Sequence, residues 1–143
     1  MPMAEHEVTI ARAPEEVFAF LADGTTGPRW RPAVADVAHE SGTGVGARYR
    51  QGMKGPMGRR VAADYEITEH EPPRALAFRV TAGPVRPRGR YDLTPAASGT
   101  SVRFRLDCEL SGPKKLLMGG SVQKSMNAEV RNLERLKQVL EGA

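Results

Sequence analysis

The sequence contains only one cysteine, Cys108, and three histidines among its 143 residues. One thiol cannot form an internal disulfide, so no feature of the sequence indicates an oxidising compartment. His6, His39 and His70 are scattered along the chain, without an HExxH motif or any other spacing typical of metal ligands. We therefore expect neither a bound metal nor any other cofactor.

Long apolar segments are also missing. No stretch approaches the roughly 20 consecutive apolar residues that a membrane-spanning helix needs. The N-terminal residues include Glu5 and Glu7 and no apolar run, unlike a secretory signal. We therefore expect a cytoplasmic protein that does not insert into a membrane.

The basic residues do not form a cluster, although the formal net charge is +4, from 21 basic and 17 acidic residues. Proteins that bind nucleic acid usually gather their cations on one helix or pair them with exposed aromatic rings. The pattern here predicts a solvated basic face and no nucleic-acid partner. Many of the cations are arginines placed singly along predicted strands, namely Arg79, Arg88, Arg90, Arg103 and Arg105.

The chain opens with a predicted strand followed by two short helices. Residues 5–12 alternate between polar and apolar side chains, as in a half-buried strand. Pro14, followed by two glutamates, is typical of a helix start, where acidic side chains also favour the positive end of the helix dipole. A second short helix is predicted over residues 25–30, and Pro32 ends it.

Six further strands are predicted between residues 34 and 110. Strands joined by turns this short must pair antiparallel, because parallel neighbours need a long crossover. Apolar residues then recur every three or four positions from Val122 to Leu140, which predicts an amphipathic helix. The predicted strands cover residues 34–40, 47–53, 60–69, 75–82, 89–94 and 101–110.

This order predicts an α+β fold formed by a single domain over residues 1–143. A curved, seven-stranded antiparallel sheet wraps around a long C-terminal helix, with two short helices after the first strand. The C-terminal helix is the only element long enough to cover the apolar face of the sheet.

Five segments resemble the START-like, helix-grip (SRPBCC) superfamily, and within it the polyketide cyclase/dehydrase-like group of small bacterial proteins. The resemblance covers essentially the whole chain, and it implies a deep cavity between sheet and helix that holds lipids, hormones or polyketide intermediates. The segments are VTIARAPEEVFAFLAD, RWRPAVADV, GTGVGARYR, ITEHEPPRALAFRV and SGTSVRFRLD.

Strand alternation predicts which side chains face such a cavity, because every second residue lies on the same face of a sheet. Charged residues fall mainly on the outer face, and aromatic and aliphatic residues fall on the inner face. The alternative for the tyrosines and for Trp30 is a place in the core; for Trp30 the resemblance favours the cavity mouth. The predicted ligand-binding residues are Trp30, Tyr49, Met53, Tyr65, Phe78, Tyr91, Phe104, Met118, Val122 and Met126.

Three functions remain open, in this order. The first is the binding of a small hydrophobic ligand, similar to a lipid, a polyketide or an aromatic compound, in the internal cavity. The second is a cyclase or dehydratase acting on a polyketide-like substrate, with the cavity tyrosines polarising a carbonyl. The third is a protein-interaction module, as in co-chaperone or toxin versions of the fold.

Catalysis would require an inward titratable group, for which Arg59, or Asp64 or Glu66 displaced by a bulge, are candidates. No residue is assigned a catalytic role. Gly119 and Gly120 precede the predicted C-terminal helix, where they either loosen an entrance or end a loop. A homodimer rests on the resemblance alone.

Overall fold

The computed structural model describes residues 2–110 and 112–142, and these residues form one eight-stranded antiparallel sheet with helices on its inner face. The strands are β1 (Met3–Ile10), β2 (Val34–Ser41), β3 (Arg48–Lys54), β4 (Arg60–Ala62), β5 (Tyr65–Glu71), β6 (Ala75–Val80), β7 (Arg88–Ala96) and β8 (Gly99–Asp107). The helices are α1 (Pro14–Ala22), α2 (Gly27–Trp30), α3 (Pro113–Arg131) and α4 (Leu133–Gly142), with 3-10 turns at Gly24–Thr26 and Pro56–Gly58.

The sheet order is β1-β8-β7-β6-β5-β3-β2, and β4 pairs with β3 outside this path. The predicted strand over residues 60–69 is therefore two strands, which raises the count from seven to eight. The break falls at Ala63 and Asp64, where the backbone of each still bonds to a neighbour: Ala63 N donates to Gln51 O, and Thr81 N donates to Asp64 O. The antiparallel α+β fold with a long C-terminal helix is confirmed.

A bulge in β5 changes which face one of the three histidines occupies. Between Ile67 and Glu69 the register with β6 shifts by one residue, so Thr68 has no partner. The shift places His70 opposite Leu76, on the inner face, where its ring meets the ring of Phe18 edge-on at 5.3 Å.

The C-terminal helix begins earlier than the apolar stripe predicts. Helix α3 starts at Pro113, so Gly119 and Gly120 lie inside the helix rather than before it. The helix is interrupted at Asn132, where the backbone makes bonds of the shorter 3-10 type before α4 begins. Of the helices in the described residues, none is long and apolar enough to cross a membrane.

The C-terminal helices cover β1, which is an edge strand of the sheet. Gln123 bonds to both backbone groups of Met3: its Oε1 accepts from Met3 N at 3.2 Å, and its Nε2 donates to Met3 O at 2.7 Å. Further along, Lys137 Nζ donates to the backbone oxygen of Thr9, and Glu141 accepts from the backbone nitrogen of Ala11. These bonds satisfy edge groups that would otherwise face solvent or another strand.

Candidate functional site

The inner face of the sheet carries a continuous cluster of aromatic rings. Tyr49 and Tyr65 stack at 5.0 Å, and Tyr91 and Phe104 stack at 4.3 Å between ring centroids. Phe78 lies between the two stacks, 5.5 Å from Tyr65 and 6.2 Å from Tyr91. Strand pairing brings these residues from β3, β5, β6, β7 and β8 onto one face, as alternation predicts.

The space beneath the helices is largely filled by these side chains. The remaining cavity has a volume of about 30 Å³, which is room for water but far below the roughly 300–1,000 Å³ of typical ligand pockets. A roomy, mostly apolar cavity between sheet and C-terminal helix was the expectation, and the cavity that the described residues enclose is far smaller. The aromatic rings pack against Trp30 and against the backbone at Gly24, where an added Cβ would lie 2.1 Å from the Tyr65 hydroxyl oxygen.

The cavity also lies in a different place from the one expected. It is enclosed by the end of α1, the turn at Gly24–Thr26, α2, and the inner faces of β3, β5, β6 and β7. Its lining residues are Leu21, Ala22, Gly24, Thr26, Gly27, Trp30, Arg31, Gln51, Tyr65, Ile67, Leu76, Phe78 and Tyr91. The segment between α1 and β2, rather than the C-terminal helix, is therefore the roof of the cavity.

An ion pair lies beside this cavity. The Arg31 guanidinium donates through Nε to Glu129 of α3 and through Nη1 to Gln51 Oε1 at 3.2 Å. The side chains of Arg31 and Glu129 are only 15% and 13% exposed. Gln51 is held in turn by its Nε2, which donates to Ala63 O at 3.2 Å. A charged network thus connects the roof, the sheet and the C-terminal helix.

Burial by itself would lower the pKa of Arg31, but Glu129, with contributions from Tyr91 and Tyr65, outweighs it and raises that pKa above its ordinary value. Arg31 is therefore a permanent cation. It also lies over the indole ring of Trp30, 5.9 Å from the ring centroid.

The hydroxyls of Tyr65 and Tyr91 lie within electrostatic range of Arg31 and of each other. Burial raises the pKa of both phenols well above the ordinary value, more than Arg31 lowers it. Both therefore remain protonated hydrogen-bond donors at neutral pH. Among residues 2–110 and 112–142, neither hydroxyl has a hydrogen-bond partner. Tyr49 differs, because its hydroxyl donates to Ala22 O at 3.3 Å.

The ten predicted ligand-binding residues fall into two groups. Trp30, Tyr65, Phe78 and Tyr91 line the cavity. The other six do not reach it. Tyr49 and Phe104 stack behind the lining rings, and Val122 and Met126 are buried where α3 meets the core. Met118 is half-buried at the start of α3, and Met53 is half-buried near the end of β3.

The residues considered as inward titratable groups lie elsewhere. Arg59 is exposed next to β4. Asp64 accepts a hydrogen bond from Gln51 N at 3.1 Å, and Glu66 pairs with Arg48 and Arg79 on the outer face. The bulge in β5 comes after Glu66, so it does not turn that carboxylate inward.

Sequence reasoning missed Arg31 and Glu129. A signal for Glu129 was present: it is three residues after Met126 and four before Leu133, within the apolar stripe of the C-terminal helix. A glutamate in that stripe needs a buried partner. Arg31 follows a four-residue helix, where neither strand nor helix periodicity predicts the direction of a side chain.

A larger depression, of about 400 Å³, lies on the outer face of the sheet. Its arginines are mostly paired with carboxylates of neighbouring strands: Arg79 with Glu66, Arg88 with Asp107, and Arg90 with Glu69 and Asp92. This surface is the solvated, charged face that the dispersed arginines predict.

Comparison with solved structures supports the helix-grip fold. Protein TTHA0849 from Thermus thermophilus is 26% identical, with 99% of each chain covered and a TM-score of 0.82. A START superfamily protein from Mycobacterium smegmatis is 17% identical, with 98% of this chain and 97% of that chain covered and a TM-score of 0.79. The di-domain ARO/CYC StfQ from the steffimycin biosynthetic pathway is 15% identical. The match covers 99% of this chain and 52% of that chain, with a TM-score of 0.81.

A comparison with curated proteins found no significant match. In contrast, residues 1–141 match the family described as polyketide cyclase / dehydrase and lipid transport. That match spans nearly every residue of the sequence, and the resemblance noted from five short segments is confirmed. The chain therefore belongs to the family described as polyketide cyclase / dehydrase and lipid transport.

Proposed function

We propose that the protein binds a small aromatic or polyketide-like molecule through an oxygen atom of that molecule, in the space between the roof segment, residues 23–30, and the sheet. One observation carries the proposal: beside the Arg31 cation, Tyr65 and Tyr91 present two hydroxyls that bond to none of the residues the structure describes. All three groups can donate, and the cation only donates, so the site favours a ligand that accepts hydrogen bonds, such as a carbonyl, phenol or carboxylate. The surrounding rings and aliphatic side chains favour an apolar body.

Binding requires the roof segment to move away, because about 30 Å³ cannot hold such a ligand. The side-chain hydrogen bonds of this segment are local: Asp23 bonds to Thr25, and the Thr26 hydroxyl donates to backbone oxygens of Phe20 and Asp23. The polar bonds to the rest of the fold lie at its two ends, at Ala22 and at Arg31. The segment itself is therefore held mainly by the packing of Trp30 and Gly24 against the rings.

A cyclase or dehydratase is the second candidate, favoured by the same donors. A cationic guanidinium and two protonated phenols suit the stabilisation of negative charge that develops on a carbonyl oxygen when an enolate forms. Neither tyrosine can remove a proton at neutral pH, since burial raises both pKa values. Catalysis would therefore rely on reactivity that the substrate itself provides, and ligand binding is the function we favour.

Fluorescence titration tests the binding site, because Trp30 is the one tryptophan of the sequence and lines the cavity. We expect 2-naphthol to change the emission of Trp30 and to bind more tightly than naphthalene, which has no oxygen. Tyr65→Phe and Tyr91→Phe should each weaken 2-naphthol binding by about 2- to 12-fold, the usual range for one neutral hydrogen bond, and leave naphthalene binding unchanged.

Tyr49→Phe is the matched control, since it removes a stacked phenol hydroxyl that bonds to Ala22 rather than facing the cavity. Equal affinities for the two probes, or equal losses in all three variants, would contradict the proposal. Native mass spectrometry of protein purified from its own host would then identify the natural ligand from any bound molecule.

A further inference from the structure

Three of the large apolar side chains that the structure leaves exposed lie at one end of the sheet. Met57 is 99% exposed, Leu117 is 83% exposed and Met3 is 44% exposed. Met57 is at the tip of the hairpin between β3 and β4, and Leu117 is near the start of α3. We call this region the hairpin end, and define it as residues 54–60, residues 81–87 and the start of α3.

The strand register brings these segments together. Arg79 at the end of β6 pairs with Arg88 at the start of β7, which pairs with Asp107 at the end of β8, just before α3. The connection over residues 81–87 packs against β4, because a Cβ added at Gly83 would lie 2.0 Å from Ala62 O. The hairpin end is thus a defined surface of the fold.

The backbone at Met57 is in the left-handed region, with φ of 58°, where residues other than glycine, asparagine and aspartate are uncommon. A long apolar side chain adopts this conformation at an energetic cost, and its full exposure shows that it fills no space in the core. Packing within the chain does not explain the residue, which points to a contact outside it.

The hairpin end also carries cations without carboxylate partners. Within the described part of the chain, Lys54, Arg59 and Arg86 have no acidic group within ion-pair distance, unlike Arg79 and Arg88 on the adjacent sheet face. The hairpin end is therefore complementary in charge to an anionic partner.

The start of α3 carries positive charge, which is unfavourable at the N-terminus of a helix. Its first turn contains no acidic residue, and Lys114 and Lys115 follow Pro113. Lysines at the positive end of the helix dipole destabilise the helix. An anionic surface next to this turn would remove that penalty.

We propose that the hairpin end docks on the surface of an anionic lipid bilayer. Met57 and Leu117 insert at the boundary between headgroups and acyl chains, and the surrounding cations contact the lipid phosphates. A bilayer fits better than a protein partner, because the two apolar side chains project singly from a hairpin tip and a helix start rather than forming a flat, contiguous patch. The docking does not depend on the proposed ligand site.

Docking would also bring the bilayer close to the core. Val80 follows Phe78 by two residues on the same face of β6, so it lies between the cavity lining and the hairpin end. Val80, Val85, Leu110 and Met118 are half-buried and pack against the core.

Co-sedimentation of the full chain with vesicles tests the proposal. We expect binding to vesicles of phosphatidylcholine mixed with phosphatidylglycerol, and little binding to phosphatidylcholine alone. Raising the ionic strength to about 1 M should abolish the binding, because the Debye length falls to about 3 Å. Binding that is equal for the two lipid mixtures, or that is absent from both, would overturn the proposal, as would preferential binding of an acidic soluble protein at this surface.

Substitutions locate the contact. Met57→Asn keeps a residue that tolerates the left-handed backbone and should weaken vesicle binding about tenfold, as should Leu117→Gln. Lys54→Gln and Arg59→Gln should each weaken it about fivefold. The controls are Val45→Ser and Arg74→Gln, since both residues are exposed in turns at the opposite end of the sheet. Equal losses in controls and test variants would show that docking occurs elsewhere.

Discussion

The Arg31–Glu129 pair connects the roof of the cavity to the C-terminal helix at a site that is largely closed to water. Removing one partner of such a pair leaves the other charge buried without compensation, whereas removing both leaves only a change in packing. Strand alternation predicted that the rings around the pair face the inner side of the sheet, because they lie on regular strands. Trp30, which lies on a short helix, is the exception. Alternation did not predict the pair, because one partner follows a very short helix and the other lies on a helix whose rotation only the packed structure defines.

Glu129→Gln should destabilise the protein by about 2–4 kcal/mol, somewhat less than a fully buried pair because a small part of each side chain still reaches solvent. Arg31 stays protonated and loses its counter-ion. The double variant Arg31→Met with Glu129→Leu should be more stable than Glu129→Gln alone. Urea unfolding measures the free energy of unfolding of both variants, and a double variant no more stable than Glu129→Gln would contradict this expectation.

Gly24 is a second site with close packing, where there is no room for a Cβ atom. A Cβ there would lie 2.1 Å from the Tyr65 hydroxyl and 2.7 Å from the ring of Tyr49. Gly24→Ala should therefore destabilise the protein by about 1–3 kcal/mol, and Tyr65→Phe in the same chain should restore part of the loss. Gly119→Ala is the matched control: among the described residues, a Cβ added at Gly119 has no neighbour within 4 Å, so this variant should stabilise the protein by about 0.5–1 kcal/mol. Similar thermal stabilities for the two alanine variants would contradict this account.

Among the elements, β1 depends most on the C-terminal helices for its polar bonds. Side chains from α3 and α4 take the place of a neighbouring strand at this edge, through Gln123, Lys137 and Glu141. The amphipathic stripe predicted that the helix packs on the sheet. It could not predict the bonds to the strand edge, because polar residues outside the stripe make them, and their partners lie more than a hundred residues away in the chain.

These bonds predict a dependence of stability on pH. The hydrogen bond from Lys137, with that from the backbone nitrogen of Ala11, holds the pKa of Glu141 below its ordinary value of 4.5. A lowered folded-state pKa means that the carboxylate stabilises the fold at neutral pH and loses this contribution as the pH falls below 4.5 and through its folded-state pKa. Melting temperatures of Glu141→Gln should therefore fall less steeply below pH 4.5 than those of the parent protein. Parallel pH profiles would show that these bonds do not couple to folding.

The whole molecule combines a continuous sheet with a roof that local bonds and apolar packing hold in place. The strands β7 and β8 pair over their full length, whereas residues 23–30 have mainly local polar bonds. Such differences give segments of one domain different free energies of opening. The roof should therefore open without unfolding the sheet.

Hydrogen exchange measured residue by residue tests this division. We expect the amide of Arg31, which donates to Gly27 O in the roof, to exchange with a lower opening free energy than the amides of β8. Saturating 2-naphthol should change the exchange rates of the roof amides more than those of the distant β1 edge, because the ligand binds beneath the roof. Equal protection of roof and sheet in the free protein would contradict the opening of the roof as a separate unit.

Local chemistry was sufficient to define most of the architecture. Alternating side chains, proline and glycine turns and one apolar helical stripe act between neighbours in the chain, so the order of elements along the chain, the antiparallel pairing and the inward-facing rings follow from the residues. Long-range packing alone placed the break before β5, the pairing of Arg31 with Glu129, and the closure of the cavity by residues 23–30. Each of these depends on contacts between segments far apart in the chain, whose distances and volumes no local pattern contains.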